Sequence, residues 1–234
     1  MLEPVLGIDG VSKNYGGLRP LRVKELRIGA GERFALLGFD QPSAEMFVNL
    51  VTGQTLPDAG QITVFGHATS AIADSRQWLQ LVDHFGIVSH RAVLLEPLTI
   101  LQNLAIPFTL SVEPVADDVR VKAESLAREV GLPDTSVTVG ASSDAAKMRV
   151  RLGRALALNP SMLLLEHVSA GLPAADSAAL GADIAAVAQT RVIAVAALTA
   201  DEAFARVVAP HVLRWDPASG RLAERRGWFG GRLG

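Results

Sequence analysis

The 234-residue chain contains no cysteine. Disulfides and thiolate metal sites are excluded, and an oxidising compartment gains no support. Neither sign of charge is in excess. Lys and Arg number 22 against 24 Asp and Glu, for a formal net charge of -2, so nothing argues for a nucleic-acid partner. The basic pair Arg225-Arg226 is too short to change that and reads as solvated surface. Long apolar runs are missing as well. None reaches the roughly 18–20 residues needed to span a bilayer, because Pro, Asn, Arg or Glu interrupts each one. The opening Met1-Leu2-Glu3-Pro4 lacks the basic start and apolar run of a signal peptide. The expectation is a soluble, cytoplasmic protein that meets a membrane only through a partner. No internal repeat is found.

What is present is a 49% hydrophobic content, enough for one sizeable core or one domain carrying an inserted subdomain. Strand-like runs fall at Val5–Ile8 and Leu21–Ile28, with a Gly16-Gly17 turn between them. The run Glu32–Gly38 is short, apolar and closed by glycine, as a buried strand would be. Pro42-Ser43 can open a helix, in which Met46, Phe47, Leu50 and Val51 recur at helical spacing. A turn at 57–60 and a strand at 61–66 follow, then a helix at 75–85 and a strand at Gly86–Ser89.

From about 90 to 155 strand signals give way to helical ones. Leu95, Leu98, Leu101 and Leu104 are helix-friendly, and Val119–Gly131 and Ala145–Leu158 read as amphipathic helices. Strands are expected again at Met162–Leu165, Val192–Val195 and Val212–Trp215, with an Ala-rich helix at 175–188. Apolar strands alternating with helices predict a parallel sheet covered by helices. The tail from 217, rich in Gly and Arg, is expected to be loosely held.

Several segments, in order and at matching separations, resemble the ATP-binding subunit of ABC transporters. They are the strand–loop–helix at 34–51 with Thr52-Gly53, then Ile87–His90, Leu98–Asn103, Arg154–Pro160 and Ser169–Leu172. The resemblance runs from about residue 5 to 216. It implies a P-loop NTPase (RecA-like) parallel sheet with an antiparallel β edge and an inserted helical subdomain. In this reading 1–89 and 156–216 form the ATPase core, 90–155 the helical signature subdomain and 217–234 a tail.

The motifs of that family are degenerate here. A phosphate loop, G-x-x-x-x-G-K-[ST], wraps phosphates with backbone N–H groups, neutralises them with Lys and holds Mg²⁺ with a hydroxyl. The matching stretch is Gly38-Phe39-Asp40-Gln41-Pro42-Ser43-Ala44-Glu45. Only the first glycine remains. Ala44 stands at the Lys position, Glu45 at the hydroxyl, and Pro42 removes one N–H. A loop that merely connects strand to helix is the alternative reading. Glu166 and His167 stand where the resemblance implies an Asp for Mg²⁺ and a Glu to activate water. Glu166 retains a carboxylate for Mg²⁺, and His167 is a candidate base. His90 replaces the Q-loop Gln, Pro173 the D-loop Asp, and the switch His falls at Ala197.

Tyr15 stands where the family stacks an aromatic on adenine; a half-buried tyrosine beside a Gly-Gly turn is the alternative. Ser143 keeps the signature hydroxyl at a helix start, which capping alone would also explain. The resemblance thus implies a non-catalytic or weakly catalytic transporter subunit with weak ATP binding, doubtful Mg²⁺ binding and no other metal, a membrane permease as partner, and either a homodimer or a heterodimer with an intact ATPase subunit. The alternatives are an ABC-fold interaction protein that binds no nucleotide, and an unusual ATPase using Glu166 and His167.

Overall fold

A computed structural model describes residues 4–224. Its centre is a six-stranded sheet, and a four-stranded antiparallel sheet lies beside it. The smaller sheet holds β1 (Leu6–Lys13), β2 (Leu21–Ile28), β4 (Ala59–Val64) and β5 (His67–Ala68), in the order β2-β1-β4-β5. The larger holds β3 (Arg33–Leu37), β6 (Phe85–Ser89), β7 (Met162–Glu166), β8 (Ala194–Thr199), β9 (His211–Asp216) and β10 (Arg221–Glu224). Its order is β10-β9-β3-β8-β7-β6. Five of these strands run parallel, and β10 pairs antiparallel with β9 at one edge. The α/β class agrees with the sequence reading.

The helices are α1 (Gln41–Val51), α2 (Ser75–Val82), α3 (Ile100–Ala105), α4 (Asp117–Glu129), α5 (Asp144–Leu156), α6 (Ala174–Arg191) and α7 (Glu202–Val208). None of the described helices is long and apolar enough to cross a membrane. Central strand β7 is buried along its whole length. That is why Met162-Leu163-Leu164-Leu165 is a continuous apolar run rather than an alternating one. Its side chains still divide by period two. Leu163 and Leu165 join the cluster under the helices from α3 onward, while Met162 and Leu164 join the cluster shared with α1 and the antiparallel sheet. Between β6 and β7 the described elements are α3, α4 and α5 with short 3-10 and bridge segments. Their buried residues, Leu104, Ala123, Leu126 and Met148 among them, share one cluster with Leu163, Ile184 and Val195. The helical insertion is thus packed into the face of the sheet.

Several expectations need correction. Val192 does not begin a strand. It ends α6 in the left-handed conformation, φ 56°, with the Ile193 N–H donating to the Ala188 carbonyl at 2.9 Å. The helix therefore stops through a left-handed cap built on a β-branched residue, an uncommon choice, and β8 starts only at Ala194. Consequently Ala197 lies inside β8, fully buried and paired with Ala35 and Leu165. The first residue beyond that strand is Ala200. Neither position carries an imidazole.

Leu95 and Leu98 are not helical. Thr99 and Gln102 form a capping box that starts α3 only at Ile100. Buried Asn103 ties the preceding loop down through Leu95, accepting from its N–H and donating to its carbonyl, each at 2.9 Å. Residues 217–224 are held rather than loose. The Gly220 N–H donates to Asp216 O at 2.8 Å, closing a turn, and Gly220 O accepts from the Lys24 N–H at 2.7 Å. Positions 225–234, including Arg225-Arg226, lie outside the described residues.

Candidate functional site

Because β3, β6 and β7 belong to the parallel part of the sheet, their carboxyl ends share one edge. Ligands of open α/β sheets bind in the crevice outside that edge. At the end of β3 the chain must turn sharply into α1. Gly38 does this at φ 99°, where a Cβ would stand 3.0 Å from the Trp215 carbonyl oxygen. Backbone conformation and crowding both require glycine there.

Asp40 caps α1. Its Oδ1 accepts from the Ser43 N–H at 2.9 Å, and the Ser43 hydroxyl donates back to the Asp40 carbonyl at 3.0 Å. A bond from the Ser43 hydroxyl to the Asp40 carboxylate completes the pair. These bonds hold the Asp40 carboxyl below its ordinary range, the Ser43 hydroxyl contributing most, the Ser43 N–H next, and His167's charge least. The positive end of α1 therefore already carries an anion supplied by the chain. Pro42 offers no N–H to it. Ala44 is fully buried in the apolar cluster beneath.

Glu166, at the end of β7, has a wholly buried side chain. Arg91 meets it with two bonds, Nε to Oε1 at 3.1 Å and Nη2 to Oε2 at 2.6 Å. The Gln41 amide donates to Oε1 as well. Arg91 then reaches Glu45 of α1 with Nη1, 3.0 Å from Oε1. One guanidinium so bridges two carboxylates from different elements, a fork geometry that lysine cannot supply. The pairing with Glu166, through its hydrogen bond foremost, raises the pKa of Arg91.

The loop presenting Arg91 is braced on both sides. The Arg91 N–H donates to Ser89 Oγ and the Ala92 N–H to Ser89 O, both at 3.1 Å. From α5, Arg151 donates to Ala92 O at 3.0 Å and Arg154 to Val93 O at 2.7 Å. His90 lies on this loop. Partial burial lowers its pKa and the Arg151 charge adds to that; a hydrogen bond to the His167 backbone and the charges of Asp144 and Glu166 act the other way.

His167 follows β7 in the left-handed region, φ 49°, and its buried Nε2 has no hydrogen-bond partner. Tyr15 is half-buried, its ring over Gly17, where an added Cβ would meet Tyr15 Cζ at 3.0 Å. Burial and then the Asp40 charge raise its pKa. Ser143 is exposed and caps α5, accepting from the Ala146 N–H at 3.2 Å.

The structure thus gathers Gly38, Ser43, Glu45, His90, Glu166 and His167 around one edge. The residues that dominate its electrostatics, Asp40, Gln41 and Arg91, have no role in the sequence reading. A signal for Arg91 was available. Two carboxylates at positions a cation should hold, Glu45 and Glu166, call for a positive group nearby, and Arg91 directly follows His90.

The donor set does not fit the magnesium-bound polyphosphate that the resemblance implies. Both Glu166 oxygens are engaged by Arg91 and Gln41. The Asp40 carboxylate caps the α1 N-terminus, and no lysine stands at position 44. Among the described residues no group of three or more His, Cys, Asp or Glu could hold a metal ion.

Comparison with known proteins places this geometry. The ABC transporter family matches residues 21–168. The methionine import ATP-binding protein MetN of Caulobacter vibrioides is 30% identical over 177 residues, 72% of this chain and 51% of that protein. The lipoprotein-releasing system ATP-binding protein LolD of Coxiella burnetii is 30% identical over 174 residues, 72% of this chain and 75% of that protein. The chain spans about half the length of several of the curated relatives it matches. In fold it is similar to cbiO1 from Clostridium perfringens, with a TM-score of 0.79 and 18% identity over 94% of this chain and 87% of that one. It is also similar to the dimeric bacterial ABC transporter cassette MJ0796, with a TM-score of 0.76 and 20% identity over 95% of this chain and 100% of that one. With the family match covering more than half of its length, the chain belongs to the ABC transporter family.

Proposed function

We propose that this chain is a non-catalytic or weakly catalytic ATP-binding-cassette subunit of a membrane transporter. It would sit at the cytoplasmic face, dock on a permease and pair with an intact ATPase subunit that does the hydrolysis. The observation that carries this reading is the Glu45–Arg91–Glu166 bridge. The carboxylate that should serve a metal is neutralised by the chain's own guanidinium, in a site with neither lysine nor switch imidazole. Phosphoryl transfer is almost entirely positioning and charge stabilisation, so losing these groups together removes most of the machinery. ATP binding would be weak at best.

The relatives support the transporter part of the reading, since their names describe ATP-binding proteins of import and lipoprotein-releasing systems. The test has two arms. Purified alone, the chain should hydrolyse ATP no faster than background. Expressed with its genomic neighbours, it should co-purify with a permease and a second ATPase. Turnover by the isolated chain that His167→Ala abolishes would refute the reading in favour of an active ATPase using Glu166 and His167.

A second reading is an interaction protein that keeps the fold and binds no nucleotide. The Asp40 carboxylate on the α1 N-terminus favours it. It predicts no permease in the purified complex.

A further inference from the structure

We propose that Arg91 is a tethered replacement for the divalent cation, so that the cation position is filled by the chain itself and metal is excluded in the native protein. The inference rests on the proposed function and names how the site is kept inactive.

Glu166 is buried and Glu45 is half-buried, and they approach the same guanidinium from β7 and from α1. Two carboxylates converging on one point repel and demand a cation between them. In a metal-binding version of this edge that cation would be divalent and would come and go with its ligand. Here it is a planar guanidinium with five N–H donors, of which Nε, Nη1 and Nη2 are each aimed at a carboxylate oxygen. The Gln41 amide completes the shell around Glu166.

The bridge has a mechanical result. Arg91 stands on the loop that leaves β6, which Arg151 and Arg154 of α5 hold from the other side. Ion pairs from Arg91 to α1 and β7, and hydrogen bonds from α5 to the backbone of the loop, therefore link α1, β7, the loop and α5. A metal would fasten that linkage only while bound; a guanidinium fixed to the backbone fastens it permanently. The loop and α5 are held to the sheet without nucleotide or metal.

The test uses the whole chain and Mn²⁺ alone as probe, followed by the paramagnetic signal of free Mn²⁺. The wild type should leave that signal unchanged. Arg91→Ala and Arg91→Gln, checked as folded by circular dichroism, should bind Mn²⁺ at least about tenfold more tightly than wild type. Adding Glu45→Gln to either should abolish the gain. Arg91→Gln keeps a polar side chain beside Glu166 and serves where the alanine variant does not fold.

Saturable Mn²⁺ binding by the wild type, which needs no variant to be seen, overturns the proposal. So does a folded Arg91 variant that binds no more Mn²⁺ than wild type. ATP turnover is a separate readout. Turnover by the isolated wild type would defeat the proposed function, whereas Mn²⁺ binding by an otherwise inactive wild type would defeat only the replacement of the cation by Arg91.

Discussion

Two helix starts in this chain invite comparison. Both α1 and α5 begin with a polar side chain that accepts from a backbone N–H three residues on, Asp40 from Ser43 and Ser143 from Ala146. As caps they are equivalent. Electrically they differ. The start of α1 is capped by a carboxylate, and the adjoining Glu45 and Glu166 are paired with Arg91. The start of α5 is capped by a neutral, exposed hydroxyl, with the exposed Asp144 carboxylate one residue on. The difference separates what a fold needs from what phosphate chemistry needs. A helix needs only its first N–H groups satisfied. Chemistry needs those groups vacant and a cation free to meet a ligand. This chain meets the first requirement at both places.

The largest effect that would sharpen this contrast is expected from Arg91→Ala. It strips a buried carboxylate of its partner and should cost about 2–3 kcal/mol, toward the low end of buried pairs because Arg91 itself is partly exposed. Urea unfolding measures it. A cost within error of zero would mean that the bridge does not hold the edge together.

Asp40→Ala comes next, at about 1 kcal/mol for a lost cap. The carboxylate adds an acid dependence. The folded pKa lies below the ordinary 3.8, so the Asp40 contribution is present above that value and fades as pH falls through the lowered one. Asp40→Asn, which keeps a cap acceptor but has no carboxyl, should lose that acid dependence. Unfolding curves collected from neutral pH downward would show whether it does.

For Ser143→Ala the expected stability cost is a few tenths to about 1 kcal/mol. In the assembled transporter the same change should lower ATP turnover, while Asp40→Ala should leave turnover unchanged. Equal effects from the two caps would erase the distinction drawn between the helix starts.

The smallest effect concerns His90, whose folded pKa lies below the ordinary 6.5. The unfolded chain then takes up a proton more readily, so stability should decline slightly as pH falls from about 6.5 through the lowered value. His90→Gln should flatten that slope in thermal melts. An unchanged slope would locate the titration elsewhere.

Much of the fold was legible because local pattern and global packing agree. The apolar run at Met162–Leu165 could satisfy itself only between two covered faces, and Gly38 closes β3 where a side chain would strike Trp215. Elsewhere local pattern misled. Val192 looks like the first residue of a strand, yet the need to turn Ile193 into the core makes it a left-handed helix cap. That shift puts Ala197, which the resemblance set just beyond a strand, inside β8. The strand at Arg221–Glu224 was hidden in a Gly- and Arg-rich segment because its pairing is with β9, not with its own composition.

The candidate site was half legible. Departures from the family's motifs could be read one by one, at Ala44, Glu45, His90 and His167. What fills the gap could not, because Arg91 and Glu166 are 75 residues apart and meet only once β6 and β7 lie side by side. Asp40 was missed although a signal was present, since an Asp two residues before Pro42 marks a helix start.

The central claim is that the chain's own Asp40 and Arg91 occupy the places of phosphate and cation. Calorimetric titration of MgATP into the purified, isolated chain tests it most directly. The account predicts no saturable heat up to millimolar nucleotide. A one-to-one isotherm with micromolar affinity would contradict it, because nucleotide would then have displaced groups that are here taken to close the site.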